Sequence, residues 1–290
     1  MKKALVVGID NYSATPLSGC VNDANEIQKL LETNGDGSPN FDVKFKPNVS
    51  YKKEMYELLN SLFTIGESDI ALFYFSGHGT GELGGKIVLP DYNGMDLGIS
   101  MTDILRLVNE SKSKNKIIIL DCCFSGKMGE AGFTDTADSV IGQGVTIDKI
   151  AGHGIFTELL IQDLQGGAAD VGGNITPASL YSFVDQSLGA WEQRPLFKTN
   201  ISRFLPIRSI EPRVSKQTLR KISDYFVDPY GEYKLDPSYE YTNTPNDNHE
   251  IKEPYANDDN VKVFKDLQLY ESVGLIEPVG TEHMYFCSYE

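Results

Sequence analysis

The sequence predicts an α/β fold with a mostly parallel central sheet flanked by helices. Three observations predict it. Short apolar runs that read as buried strands recur along the first two thirds of the chain. Between them lie stretches with apolar residues three and four apart, the period of a helix with one buried stripe. Two of the strand runs end on reactive side chains, at the sheet edge where open α/β folds place their chemistry.

Strands are expected at 3–9, 42–46, 69–75, 86–89 and 116–121. The third is the plainest, since Ile70, Ala71, Leu72, Phe73, Tyr74 and Phe75 are all apolar. Helices are expected at 22–33 (Ala24, Ile27, Leu30, Leu31), 52–63 (Met55, Leu58, Leu59, Leu62) and 101–109 (Ile104, Leu105, Val108). Strand and helix in alternation imply right-handed crossovers and parallel pairing. Residues 127–143 break the pattern. They are rich in Gly, Asp and Thr and read as a long mobile loop of the kind that often carries function.

A further unit follows: a helix over 154–164, a Gly-rich connection over 166–173, and a helix over 176–188. Thr176 caps that last helix and Pro177 fits its first turn. A strand-like stretch at 201–207 closes the unit. Beyond about 209 the composition shifts. A helix is expected near 214–226, a polar, acidic, turn-rich stretch at 236–259, then a helix at 261–269 and a hairpin ending near 284–288. This small α+β segment has half the pattern of a winged helix. The division is therefore a domain at 1–208 and a C-terminal domain at 209–290.

The chain has 290 residues, 40% of them hydrophobic, and a formal charge of −15. That charge, with a pI near 4.7, argues against nucleic acid or an anionic membrane as a partner, because phosphate binding needs clustered Lys and Arg. It suits a basic peptide. No apolar stretch approaches the roughly 18 residues of a membrane span. The apolar run after Lys2 and Lys3 meets Asp10 too soon for a signal peptide. Cys20, Cys122, Cys123 and Cys287 have neither metal-ligand nor disulfide-framework spacing, so the expected setting is a reducing cytoplasm.

The chemistry gathers in two motifs. Ser76-Gly77-His78-Gly79 follows the third strand, and Asp121-Cys122-Cys123-Phe124-Ser125-Gly126 follows the strand at 116–121. A thiol near its ordinary pKa of about 8.5 is only a few per cent thiolate at neutral pH. An imidazole beside it takes its proton and later returns one to a leaving amine. His78 and Cys123 fit those roles. The backbone N–H groups of Gly79 and Cys123 can form an oxyanion hole. Cys122 reads as a packed core thiol, because alternate strand residues face opposite sides. His153 reads as a loop or cap residue, and Asp10 as a turn residue without a function.

These motifs resemble the caspase-like cysteine peptidases, closest to the metacaspase and bacterial orthocaspase branch with its Asp-x-Cys-x-Ser-Gly signature. Gly8-Ile9-Asp10-Asn11-Tyr12, Leu17 through Ala24, Gly154-Ile155-Phe156-Thr157 and Gln193-x-Pro195 are also similar. The resemblance covers roughly 1–208. It implies the caspase–hemoglobinase fold, with a large-subunit-like part at about 1–130, a mobile activation loop at 131–150 and a small-subunit-like part at 151–208. It implies that Cys123, not Cys122, is the nucleophile. It maps the pocket for the substrate's P1 side chain onto Asp23, Ser76 and Asp121, so cleavage is expected after Arg or Lys and not after Asp. The Asp-Asp pair that serves calcium in many metacaspases is missing, since the matching stretch reads Gly98-Ile99-Ser100-Met101-Thr102-Asp103. No cofactor is therefore required on this reading, and calcium is not carried over.

Lys127 and Lys149 make autocleavage in 127–150 an activation step, and 209–290 is read as the seat of an activating partner or nucleotide-type signal. Bacterial relatives by analogy place such proteins in antiviral defence or regulated cell death. Two rival readings stand beside this one. One is a catalytically idle caspase-like sensor or scaffold. The other is a clan peptidase of separase-like or gingipain-like specificity.

Overall fold

A computed structural model describes residues 1–81, 85–92, 98–122, 138–144, 149–150, 153–188, 197–199, 204–245, 252–279 and 288–289. The chain divides into two compact units: Met1–Asp170 with Asn174–Glu211, and Val171–Gly173 with Pro212–Glu290.

The first unit is built on a six-stranded sheet. Its strands are β1 (Lys2–Gly8), β2 (Phe41–Pro47), β3 (Ile70–Ser76), β4 (Asn115–Asp121), β5 (Asp138–Gly144) and β6 (Phe197–Thr199). Their order is β6-β5-β4-β3-β1-β2, and only the β5–β6 pair is antiparallel. The helices are α1 (Cys20–Glu32), α2 (Lys52–Thr64), α3 (Met101–Glu110), α4 (Ile155–Gln162) and α5 (Pro177–Ser187). From β1 the chain runs to one side to make β2 and then to the other to make β3. The strand order thus reverses between β1 and β3, and a crevice opens there beyond the strand C-termini.

Period-two alternation sends the side chains of β1, β3 and β4 to two separate cores. Leu5 and Val7, Phe73 and Phe75, Ile118 and Leu120 pack with α2 and α3. Val6, Leu72, Tyr74, Ile117 and Ile119 pack with α1 and α4 on the other face. Every residue of β3 is buried, which is why its sequence is apolar from Ile70 to Phe75 and not alternating. Each fully buried Leu or Phe contributes about 1.5–3 kcal/mol.

Gly8 ends β1 where α1 comes closest. A Cβ there would lie 2.1 Å from the Cys20 carbonyl oxygen and 2.8 Å from the Ala24 Cβ, so any larger residue would push the helix off the sheet. The N-terminus of α1 is capped from outside its own sequence. The Asp10 carboxylate accepts from the Cys20 N–H at 2.9 Å and the Val21 N–H at 3.2 Å, and its charge complements the helix dipole. Asp10 is therefore a cap and not an idle turn residue. At α5, Thr176 accepts from the Ser179 N–H at 3.1 Å in a capping box with Pro177 behind it, as its sequence predicts.

Three expectations need correction. The stretch 86–89 does not join the main sheet. Lys86–Ile87 pairs antiparallel with Gly79–Thr80 and Ile99–Ser100 in a small sheet of its own. Residues 138–144, read as loop, form β5. Asp138, Gly142 and Gly144 hide the strand because backbone pairing with β4, and not intrinsic propensity, selects it. The strand expected at 201–207 lies earlier, at Phe197–Thr199; residues 201–203 fall outside the described residues, and 204–207 is not a strand.

Behind α4 the chain makes a π-helical turn, Asp163–Gly167, with Gly166 at φ +133°. Arg208 ties the residue after α1 to this turn, donating to the Thr33 oxygen at 2.9 Å and the Leu164 oxygen at 2.5 Å. Asp163 is fully buried, and neither of its carboxylate oxygens has a hydrogen-bond partner among the described residues. Burial pushes this acid up to about 8.

The second unit has its own core of Val214, Leu235, Tyr239, Phe264, Leu267, Tyr270 and Ile276. Its main helix, α6 (Asp258–Glu271), is capped by Asn257. The helix expected at 214–226 is two short pieces, Lys216–Arg220 and Ile222–Tyr225. Tyr233–Lys234, Ser288–Tyr289 and Pro278–Val279 form a small antiparallel sheet. No helix among the described residues is long and apolar enough to cross a membrane.

Candidate active site

The parallel register sets Gly8 opposite Ser76 and Ser76 opposite Asp121. The ends of β3 and β4 are tied again by the Gly77 N–H, which donates to the Asp121 carbonyl at 3.3 Å. His78 and Cys123 each follow two residues beyond a paired position. Cys123 itself lies outside the described residues. Cys122, the residue before it, is fully buried in the α2–α3 core, as strand alternation predicts.

His78 is half-buried and held on several sides. Its Nε2 lies 2.7 Å from the Thr15 carbonyl oxygen and 3.1 Å from the Thr15 hydroxyl. A carbonyl only accepts, so Nε2 carries the proton and Nδ1 carries the lone pair. The Tyr12 ring meets the imidazole edge-on, with centroids 4.5 Å apart. The Tyr12 hydroxyl accepts from the His78 N–H at 3.0 Å and donates to the Val88 carbonyl at 3.1 Å, while the Val88 N–H donates to the His78 carbonyl at 2.9 Å. A Cβ on Gly77 would lie 2.6 Å from the same tyrosine oxygen, so glycine is required before the histidine.

Gly79 pairs with Ile87. The bond from Val88 to His78 marks this as the non-hydrogen-bonded type of antiparallel pair. The Gly79 N–H therefore points away from its hairpin partner.

Asp23, Ser76 and Asp121 do come together. They sit on the α1–α4 side of the sheet end and are 3%, 2% and 1% exposed. The Ser76 hydroxyl donates to Asp23 Oδ2 at 3.2 Å. The Thr157 hydroxyl donates to Asp121 Oδ2 at 2.7 Å, and the Tyr74 hydroxyl lies 2.6 Å from Thr157 Oγ1. Thr157 spends its one proton on the carboxylate, so Tyr74 donates to Thr157.

Sequence reasoning missed Thr157, Tyr74 and Cys20 as neighbours of this cluster. The Cys20 thiol is pushed up to about 12, first by burial and then by Asp10, Asp23 and Asp121, against a hydrogen bond with Ser76. Burial, with Asp121 and Asp23 beside it, likewise holds the Tyr74 hydroxyl well above the usual range for tyrosine. Tyr12 and Thr15 were missed as the clamp on His78. Thr157 and Tyr12 stand in stretches that carry the family resemblance, whereas nothing in the sequence marks Thr15.

A cavity of about 370 Å³ opens on the other side of His78, lined by Tyr12, His78, Gly79, Val88, Pro90 and Tyr92 among others. Its lining includes none of Cys20, Asp23, Ser76 or Asp121.

Comparisons with known proteins agree with this architecture. Over 143 residues the chain is 32% identical to metacaspase-8 of Arabidopsis thaliana. That match takes in 43% of this chain and 37% of the relative, so the chain spans little more than a third of the relative's length. Among solved structures, protein GSU0716 from Geobacter sulfurreducens superposes with a TM-score of 0.54 at 14% identity, over 73% of this chain and 100% of the other, and so shares the fold. Caspase-1 from Spodoptera frugiperda gives a TM-score of 0.48 at 16% identity, over 72% and 90%. The model of the caspase domain, peptidase C14, matches residues 1–226. With most of its length matched, and with a parallel sheet presenting a histidine at the end of β3, the chain belongs to the caspase-domain family of cysteine peptidases.

Proposed function

We propose that the chain is a cysteine endopeptidase that cuts after Arg or Lys with a Cys123–His78 dyad. One observation carries this reading. The register of β3 and β4 sets Ser76 beside Asp121, and a histidine whose Nε2 is engaged by a carbonyl keeps Nδ1 as a base two residues beyond Ser76.

Elimination supports the thiol. A nucleophile must be a thiolate at working pH. Cys122 is buried in the core, and Cys20, pushed up to about 12, remains a thiol. Cys287 falls in the second unit, outside the described residues. Cys123 adjoins the dyad's strand end.

In the proposed reaction Nδ1 of His78 takes the Cys123 proton and Sγ attacks the scissile carbonyl. The Gly79 and Cys123 N–H groups hold the oxyanion. The C–N bond breaks, the leaving amine takes the proton from Nδ1, and water hydrolyses the thioester with the same imidazole as base. Cys123, His78 and water supply every atom and proton of the step, so it calls for no cofactor. Asp23 and Asp121 form the seat of the P1 cation, with Arg favoured because its planar fork pairs two oxygens at once. Residues 209–290 take the activating signal, and cleavage after Lys127 or Lys149 is a step of the activation.

Aminocoumarin peptides with Arg, Lys or Asp at P1 test the reading on the wild type and on Cys123→Ala. Arg and Lys substrates are expected to turn over, Asp substrates are not, and Cys123→Ala is expected to lose all turnover. Cleavage after Asp, or activity that survives Cys123→Ala, would overturn it.

A further inference from the structure

We infer that the cavity beside His78 is a binding site for the residue that follows the scissile bond, and that it selects an apolar side chain there. The inference rests on the peptidase reading and goes beyond it, to the half of the substrate that leaves.

His78 must deliver a proton to the leaving nitrogen, so that nitrogen comes within hydrogen-bond reach of the imidazole when the C–N bond breaks. The side chain next to that nitrogen then lies against His78. The acidic cluster at Asp23, Ser76 and Asp121 shares no residue with the cavity, whereas His78, Gly79 and Thr15 all line it. The P1 cation and the departing residue thus have separate seats. At about 370 Å³ the cavity falls at the small end of ligand pockets, about 300–1,000 Å³.

Chemistry sets the selection. Among the described residues the lining offers Tyr12, Val88, Leu89, Pro90 and Tyr92 and contains no carboxylate, ammonium or guanidinium. A charged side chain would lose water there, and among the described lining residues only the His78 imidazole could carry a charge to meet it. Tyr12 is fixed by hydrogen bonds at both ends of its hydroxyl, and Tyr92 is half exposed at the rim. The proposed autocleavage sites fit the same selection. The two basic residues within 127–150 are Lys127 and Lys149, and each is followed by an apolar residue, Met128 and Ile150.

Two experiments test the site. Internally quenched peptides with Arg at P1 and Leu, Phe, Asp or Lys after it should show kcat/KM about tenfold or more higher for Leu and Phe than for Asp. Ser13 lines the cavity and is exposed, so Ser13→Lys should raise the Asp substrate relative to Leu by about tenfold. Equal rates across the series, or a ratio that Ser13→Lys leaves unchanged, would overturn the inference.

The second experiment does not depend on turnover. Saturation-transfer NMR on Cys123→Ala with Leu-Gly-amide and Asp-Gly-amide should show transfer to the leucine methyls alone, weakened by Tyr92→Ala. Transfer to neither dipeptide, or to both equally, would overturn the site. Leucine binding in a chain that cleaves nothing would instead mean that the cavity stands and the peptidase reading falls.

Discussion

Asp121→Asn is expected to lower kcat/KM for peptides with Arg at P1 by about 100-fold or more. Removing one charge from a buried, hydrogen-bonded charge pair typically costs about 2–5 kcal/mol. Asparagine keeps the shape of the side chain, and its carbonyl oxygen can still accept from Thr157, which now sits 2.7 Å from Asp121 Oδ2. Asp23→Asn keeps the Ser76 contact in the same way, and a loss of similar size is expected. Citrulline at P1 separates charge from damage, because it has arginine's shape without its charge. The wild type should discriminate strongly between the two, and either variant should narrow the ratio by most of that margin. An equal fall on both substrates would mean that the carboxylates shape the fold and do not seat a cation.

The second large effect concerns stability. Asp163 is fully buried, with no partner for either oxygen among the described residues, and is pushed up to about 8 from the ordinary 3.8. The sign follows from linkage. Between pH 4 and 8 the unfolded chain ionises this group while the folded chain keeps its proton. The unfolded state therefore binds fewer protons, and stability falls with rising pH by up to about 1.4 kcal/mol per unit. Above pH 8 the loss is complete. Asp163→Asn removes the ionisation. Relative to the wild type it should therefore gain on the order of 5 kcal/mol between pH 4.5 and pH 8.5, the span of that shift at about 1.4 kcal/mol per unit. Urea melts of both proteins at the two pH values check this. Parallel curves at both would show that the carboxylate finds a partner in solution.

The central sheet was legible because four of its parallel strands bury apolar residues on helical and strand periods that compete with nothing else. The run from Ile70 to Phe75 is buried at every position and could be read no other way. β5 was not legible, since two glycines and an aspartate are recruited by the edge that β4 presents. The acidic cluster was reached through resemblance alone. Asp23 lies on α1 and Asp121 ends β4, and only the close approach that Gly8 permits brings that helix to that strand end. The clamp on His78 was invisible for a different reason. Thr15 acts through its backbone carbonyl, which every residue possesses, so no side-chain pattern could announce it. Asp10 caps α1 from the loop before it, outside the adjacent position where capping residues are sought.

The most direct measurement is the site of covalent capture by a peptidyl Arg-chloromethylketone under conditions that support turnover. A thiolate displaces the chloride and leaves a thioether that mass spectrometry locates to one residue. The dyad account predicts a single adduct on Cys123, formed about 100-fold or more slowly in His78→Ala, because general-base assistance is worth about 10²–10⁴. An adduct on Cys20 or Cys287, labelling that His78→Ala leaves unchanged, or turnover with Cys123 unmodified would contradict it.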